Sequence, residues 1–365
     1  MIEQRLIEEF SSPDEAERRS AAREVSESCE PEAAEFLVTQ LRQQTSRAVK
    51  ESILRGLSRM WTTSPVESMI ELLRDDDPFV RAEGAAMLQR RASDVIEALC
   101  RLVRSQDRDL RKFSVDILRE AIAGAPDALY LAALKDEDIN VVISAVENIG
   151  SRQQTGFSQH VIAIALESSQ PMAVCAAFEA LAQIGNKQTL DALRKKYPDA
   201  ATVPGIYLQP FLKFLGHAAG PESIEEICRT IEQRGEFIRD AAIDAVTNIA
   251  SRQNVSQLNE FCEGILCGLL TPDLDRGLCC HVIDLLGHFS SSKRVALAVL
   301  PYLHDSDPFI GLAAIKALAN SSDPAVETAL HALSSSETDP DIREEQEELL
   351  RGRPRWNSPP SNSPS

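Results

Sequence analysis

A unit of about thirty-one residues recurs eleven times along this chain, and a repeat of that length restricts it to stacked supersecondary units with no single globular core. The clearest copy of the unit is a short block, apolar-basic-x-x-small-x-x-x-apolar. It is seen as Val80-Arg81 with Gly84 and Leu88, and again as Ile238-Arg239 with Ala242 and Val246. With the residue after the first apolar one as an anchor, the repeats fall at Arg18, Lys50, Arg81, Arg111, Val142, Val174, Leu208, Arg239, Cys279, Gly311 and Arg343. Seven positions beyond stand Val25, Leu57, Leu88, Leu118, Ile149, Leu181, Leu215, Val246, Leu286, Leu318 and Leu350. All eleven are aliphatic, which hydrophobic content of 43% does not produce by chance. A row of this kind is what helices need when each unit must cover its neighbour's apolar face.

Turn chemistry places two helices in every unit. Ser12-Pro13, Ser64-Pro65, Asp77-Pro78, Asp307-Pro308, Asp323-Pro324 and Asp339-Pro340 set a capping acceptor before a proline suited to the first helical position. Four residues before the anchor come Asp14, Asp77, Asp107, Asp138, Asp275, Asp307 and Asp339. An acid there favours the positive end of the helix dipole, and its four-residue spacing from Arg predicts an ion pair. Second helices are predicted over spans such as Val66 to Arg74 and Val95 to Arg104. Pro198, Pro204, Gly205 and Pro210 predict that the first helix of the seventh repeat is short or broken and that the stack bends there. The forty-residue interval from Arg239 to Cys279 predicts a long second helix from about Val255 to Leu270. The organisation is a continuous array: N-terminal repeats over 1–197, C-terminal repeats over 198–353, and a Pro/Ser tail over 354–365 of disordered composition. Ile2 to Phe10 caps one end, and the polar helix around Ile342, Leu349 and Leu350 caps the other.

Charge narrows the function. A formal net charge of −18 argues against a phosphate binder, because counterion release needs Lys and Arg on the binding face. Residues 1–120 hold 19 Lys+Arg against 24 Asp+Glu and the remainder holds 19 against 32, so the acidity lies mainly in the C-terminal two thirds. The first ten residues lack a secretory pattern, no apolar run approaches a membrane span, and eight cysteines sit in helical patterns without paired spacing. The expectation is a cytoplasmic protein with no nucleic-acid or membrane partner.

The block pattern of Asp, Val-Arg, Ala and Ala-Leu, best seen in Val141 to Gly150, Val174 to Gly185 and Ile310 to Leu318, resembles HEAT repeats. The resemblance is strongest to the short bacterial-type repeats related to those of phycobilisome lyases. It implies an all-α, alpha-alpha superhelix, a HEAT-like solenoid of about eleven two-helix repeats over roughly residues 11–351. The first and seventh repeats depart from the pattern, with Glu17 at an apolar slot and Phe211 at a small one. HEAT-like hydroxylases carry repeated His-Glu pairs for a di-iron centre, and no histidine of this chain is followed by Glu. A metal reading of Cys279-Cys280-His281, Asp284 and His288 with Cys262 and Cys267 lacks zinc spacing. Asp284 also stands five beyond its anchor, in a row charged in ten of eleven repeats, as a solvent face is. No metal, no cofactor and no catalytic residue are expected.

The resemblance implies that second helices line the concave side. Aligned by their last core aliphatic residue, these helices present Glu35, Glu67, Glu97, Ala128 and His160 on one row. Thr39, Glu71, Arg101, Ala132 and Ile164 follow four residues later on the same face. The row begins acidic and turns apolar near Tyr130. The partner it suits is a protein presenting a basic amphipathic helix, with Glu35, Glu67, Glu71 and Glu97 attracting charge, Arg101 beside them, and Ala128, Tyr130, Ala132, His160 and Ile164 seating apolar groups. The expected role is a non-catalytic scaffold or adaptor; the repeat subtype implies, as the alternative, a bilin lyase-like enzyme or chromophore chaperone. Arg351, Arg353, Arg355 and Trp356 add a basic-aromatic patch in an acidic protein.

Overall fold

The computed structural model describes residues 2–28, 30–62, 64–119 and 126–336, and no strand occurs among them. The eleventh repeat at Arg343, the C-terminal cap, the 354–365 tail and the Arg351–Trp356 patch lie outside the described residues. After a short helix at Gln4–Glu9 come ten helix pairs. In chain order they are Glu15–Glu27 with Pro31–Gln43, Arg47–Arg59 with Val66–Leu72, Pro78–Arg90 with Ile96–Leu102, Arg108–Leu118 with Asp127–Ala133, and Ile139–Ser151 with Ser158–Glu167. There follow Pro171–Ile184 with Lys187–Leu193, Gly205–Ala218 with Ile224–Arg234, Arg239–Gln253 with Glu260–Gly268, Arg276–Gly287 with Lys293–Val299, and Pro308–Leu318 with Pro324–Ser336.

The chain divides into two compact units, Met1–Gln153 and Gln154–Ser365. The first ends where Gln153 takes a left-handed backbone at φ 52°, a conformation that stops the helix before it. Within each unit first helices pack on first helices and second helices on second helices, as in Glu15–Glu27 on Arg47–Arg59, or Ile224–Arg234 on Glu260–Gly268. The aliphatic row is the seam of this packing. From Val25 to Leu318 every one of its ten described members is 3% exposed or less.

The aspartates four before the anchor are caps. Asp14, Asp77, Asp107, Asp138, Asp275 and Asp307 each accept from a backbone N–H of the first turn, at 2.8–3.1 Å. That bond is the main reason the Asp77 and Asp138 carboxyls are held below the ordinary aspartate range. The ion pair predicted between each cap and its anchor four residues on is not what forms. Arg18, Arg81 and Arg111 turn instead to the carbonyl six residues back, at Ser12, Asp75 and Ser105, which a loop folding under its own helix leaves without a donor. Two predicted caps also move: Asp14 replaces Ser12, and the buried Ser64 hydroxyl donates to the Met60 carbonyl while Pro65 takes the cap position.

The broken helix expected in the seventh repeat is a continuous one, Gly205–Ala218, with Pro210 inside it. Pro204 and Gly205 sit at its start, where they cost nothing. Pro210 removes the N–H that would reach the Ile206 carbonyl, and the Cys175 thiol of the preceding repeat donates there at 3.4 Å. Burial raises the Cys175 pKa, so the group stays a donor. Phe211, large for its slot, is fully buried in an aromatic cluster, edge-on to Phe178 at 5.2 Å and tilted against Tyr197 at 6.0 Å. Pro210→Ala should restore the missing bond and raise unfolding stability by about 1–3 kcal/mol, more than the chain entropy proline removes from the unfolded state. A urea midpoint unchanged or lowered would contradict this account of the helix.

The long second helix expected from Val255 to Leu270 is also corrected, to Glu260–Gly268. Asn254, left-handed at φ 51°, ends the helix before it, and the Asn259 side chain accepts from the Cys262 N–H at 2.8 Å to begin the next. Two asparagines thus convert five residues into connection. In the first repeat Glu17 is exposed and receives the Ser12 hydroxyl, which removes the conflict at that slot. Leu6 and Phe10 of the N-terminal segment are buried, with Phe10 edge-on to Phe36 at 5.4 Å.

Candidate functional site

The second-helix row of the first unit is exposed at Glu35, Glu67, Glu97, Arg101 and Ala128, and half-exposed at Glu71 and Ala132. Charge on it is shared between repeats. Arg101 reaches back to Glu67 at 3.2 Å, and Glu71 receives Arg42 of the preceding repeat at 2.6 Å and Arg74 of its own at 2.5 Å. The hydrogen bond from Arg42, first among its causes, holds the Glu71 carboxyl below the usual glutamate range. Between helices Val66–Leu72 and Ile96–Leu102 the side chains of Glu67, Glu71, Arg74 and Arg101 rim a groove of about 340 Å³ whose floor includes Ile70, Ala98 and Leu102. Glu35 and Glu97 stand outside the pairs.

Tyr130 does not belong to this face. It is 1% exposed and its hydroxyl donates to Asn148 Oδ1 at 3.2 Å, while Asn148 donates to the Val115 carbonyl at 2.9 Å. The residue that looked like the apolar seat is part of a buried polar junction, because its position in the helix turns it toward the first helices. His160 is exposed and Ile164 half-exposed on the corresponding helix of the second unit. Sequence reasoning missed Arg42 and Arg74. Their signal was available: a basic residue directly follows the aligning aliphatic in the first four repeats, as Arg42, Arg74, Arg104 and Lys135.

A second set of groups joins repeats at the turn edge. Arg111 is nearly buried and bidentate on Asp136 of the next repeat, with Nε at 2.7 Å and Nη2 at 3.0 Å, while Nη1 holds the Ser105 and Gln106 carbonyls. Lys50 to Asp77 at 3.4 Å, and Arg276 to Asp305 and Asp307 at 3.3 and 3.2 Å, repeat the link more openly. At the other ends of the first helices, Arg91, Arg152 and Arg252 each donate to carbonyls that close the preceding first helix. Their acceptors are Trp61 and Ser64, Leu118 and Arg119, and Gly216 and Ala219. These arginines serve as C-caps supplied from the next repeat.

The histidine and cysteine groups singled out in the eighth and ninth repeats are dispersed by the fold. Cys262 meets the buried Cys228 of the neighbouring second helix, whose thiol donates to it; that bond and burial push Cys228 up, so it stays protonated. His288 Nε2 lies 3.3 Å from the Ser251 hydroxyl, and Asp284 lies 3.9 Å from Lys316. Asp284, His288 and Lys316, with Ser256, Ser291 and Asn320, rim an open groove of about 680 Å³. Among the described residues no three His, Cys, Asp or Glu side chains gather as a metal site would require. No helix among them is long and apolar enough to cross a membrane.

Stacked helix pairs with caps and ion pairs passed from repeat to repeat define an α-solenoid. More narrowly, a family model of HEAT repeats matches residues 3–89, and the paired-helix fold of the whole described chain is HEAT-like. No curated protein matches the sequence. Among solved structures, yeast importin-beta (Kap95p) superposes with a TM-score of 0.58 at 9% identity, over 94% of this chain and 55% of that one. This chain therefore spans about half the length of that relative. Kap95p in a structure where its binding induces the switch loops of RanGDP to adopt the GTP-bound conformation gives a TM-score of 0.50 at 13% identity, over 95% and 53%. The CpcE and CpcF complex of the phycocyanin lyase of Nostoc sp. PCC7120 gives 0.41 at 18% identity, over 70% and 93%, too loose a superposition to bear on function.

Proposed function

We propose that the chain is a non-catalytic scaffold or adaptor that receives a protein partner along its second-helix row, the partner presenting a basic amphipathic helix. The observation that carries this reading is the groove beside Glu67, Glu71 and Arg101: an apolar floor between charged side chains, with the exposed Glu97 on one of its own two helices and the exposed Glu35 on the preceding second helix. Exposed ion pairs such as Glu67–Arg101 are worth about 0–1 kcal/mol, so a lysine or arginine of a partner exchanges into them at little cost. Ala128 and Ala132 continue the row within the first unit as small seats, and His160 with Ile164 offer an apolar seat of their own on the second unit; Tyr130 takes no part. Kap95p, which shares the fold, is itself a protein that binds RanGDP. Seven described cysteines carry no disulfide, which suits a reducing cytoplasmic setting.

The test is affinity capture with quantitative mass spectrometry, comparing the wild-type chain with a Glu35→Lys/Glu97→Lys variant. Both positions are exposed, so unfolding stability should stay within about 0.5 kcal/mol. Recovery of the captured partner should fall about tenfold, equivalent to 1.4 kcal/mol lost across two charge contacts. Equal recovery by the two chains would remove this face from consideration.

A further inference from the structure

The position five residues beyond the anchor faces its equivalent on the next first helix, and in the second unit that register brings opposite charges together. Lys213 meets Glu179, and Asp284 lies 3.9 Å from Lys316. Where acids share the register in the first unit, as Asp116 and Glu147 do, each has a cation of its own, Lys112 at 2.6 Å and Arg119 at 3.6 Å. The first three repeats depart from this. Arg23 and Arg55 share the register, both exposed, on helices so close that a Cβ at Gly56 would lie 2.7 Å from Ser26 Cβ. One turn further on, Arg59 and Arg90 share a register again, and Arg90 Nη1 donates to the Ser58 hydroxyl at 3.0 Å, which sets it beside Arg59. Arg55 and Arg59 stand four apart on helix Arg47–Arg59, so the two pairs form one cluster.

Among the described residues none of these four guanidiniums has an ion pair, although the chain carries an excess of acids. The acids at hand are spoken for or stand apart: Glu24 is held by Arg5, Glu51 by Arg47 at 3.0 Å and Asp94 by Arg91 at 3.6 Å, while Glu27 and Glu83 on the adjoining helices pair with none of the four. Like charges a turn apart repel, so the cluster weakens the fold that carries it. Charge retained against stability points to a surface that another molecule neutralises.

All four are arginine, whose planar fork matches a carboxylate. Arg55 and Arg59 present their forks about 6 Å apart, close to the spacing of side chains one turn apart on a facing helix or two apart on an extended strand. A phosphate polymer suits the surface less well. Its charges would run on past the cluster, over Glu24 and Glu27 on one side and Asp116 and Glu147 on the other, where no free cation awaits them.

We propose that Arg23, Arg55, Arg59 and Arg90 form a docking site for an acidic segment of a partner protein, with a carboxylate set between each facing pair of arginines. The site lies on first helices, apart from the second-helix row, and stands whether or not that row binds.

The probe is a fluorescein-labelled oligoglutamate peptide, titrated with the full chain and followed by anisotropy. Arg55→Gln/Arg59→Gln should weaken its binding about tenfold, since two charge-assisted contacts go. Arg104→Gln/Lys135→Gln takes the same charge from two exposed cations elsewhere in the unit, and should change the affinity less than about twofold because distant exposed charges are screened. The urea midpoint of Arg55→Gln/Arg59→Gln should hold or rise as repulsion is relieved. Absent binding overturns the proposal, and so does equal weakening in the two variants, which would mean general attraction without a site. A lowered midpoint overturns it by assigning the arginines to the fold. Tighter binding of a single-stranded DNA of equal charge overturns it in favour of a nucleic acid, and wild-type self-association that Arg55→Gln/Arg59→Gln abolishes in sedimentation overturns it in favour of a second copy.

Discussion

Arg111→Ala is expected to destabilise the first unit by about 3–5 kcal/mol, the cost of leaving one partner of a buried ion pair alone. Side-chain exposures of 8% for Arg111 and 6% for Asp136 put this pair in a different class from Arg101–Glu67, at 62% and 74%, whose loss should cost under about 1 kcal/mol. Two further losses add to the first. The Ser105 and Gln106 carbonyls lose their donor, and the turn of the next repeat loses the cation that faces it, although the Asp138 N–H still holds Asp136 Oδ1. Arg111→Lys should recover less than half, because a point charge cannot serve Asp136 bidentately and two carbonyls at once. Urea unfolding gives the magnitude. Hydrogen exchange gives the location, with protection lost first in helices Arg108–Leu118 and Ile139–Ser151, since a solenoid unzips at its weakest nearest-neighbour interface. A loss below about 1 kcal/mol would mean that the pair is not the link its geometry describes.

The sequence made the period, the helix pairs and the buried seam legible, because all three depend on residue type at fixed offsets: ten described members of the aliphatic row are buried. The caps were legible for the same reason. What escaped were interactions whose second partner is backbone. Arg91, Arg152 and Arg252 close the preceding helix through carbonyls that every residue possesses, so no pattern of side chains announces them. Pro210 misled for a related reason. Its helix survives because a thiol thirty-one residues upstream donates to Ile206, a compensation that exists only once the repeats are stacked. Along the second-helix row the register was readable and the electrostatics less so. Acids at Glu67 and Glu71 suggested a negative surface, yet Arg101, Arg42 and Arg74 draw that charge into pairs. Tyr130 shows the limit of face assignment from spacing. One helical position, about 100° of rotation, separates a half-exposed residue such as Ala132 from a buried one.

Gly216→Val should cost about 3 kcal/mol or more, at or beyond the upper end of ordinary overpacking. A Cβ at Gly216 would lie 2.9 Å from the Ala245 Cα of the next first helix, closer than real side chains approach backbone, and a backbone atom cannot rotate aside. The contact is a motif of the array: Gly287 meets Ala317 Cα at 3.0 Å, and Gly56 meets Ser26 Cβ at 2.7 Å, in each case eight beyond one anchor against six beyond the next. Small residues there let first helices cross at close range, which brings Arg252 within 3.2 Å of the Gly216 carbonyl and 2.6 Å of that of Ala219. A valine would thus push two helices apart and pull the cross-repeat cap off its carbonyls together. Gly268→Ala is the control, since nothing lies within 4 Å of the added carbon, and its effect should stay within about 0.5 kcal/mol of neutral. Urea midpoints for the two variants separate the outcomes. If Gly216→Val unfolds where the wild type does, the first helices are free to slide, and close crossing at small residues does not set the spacing of the repeats.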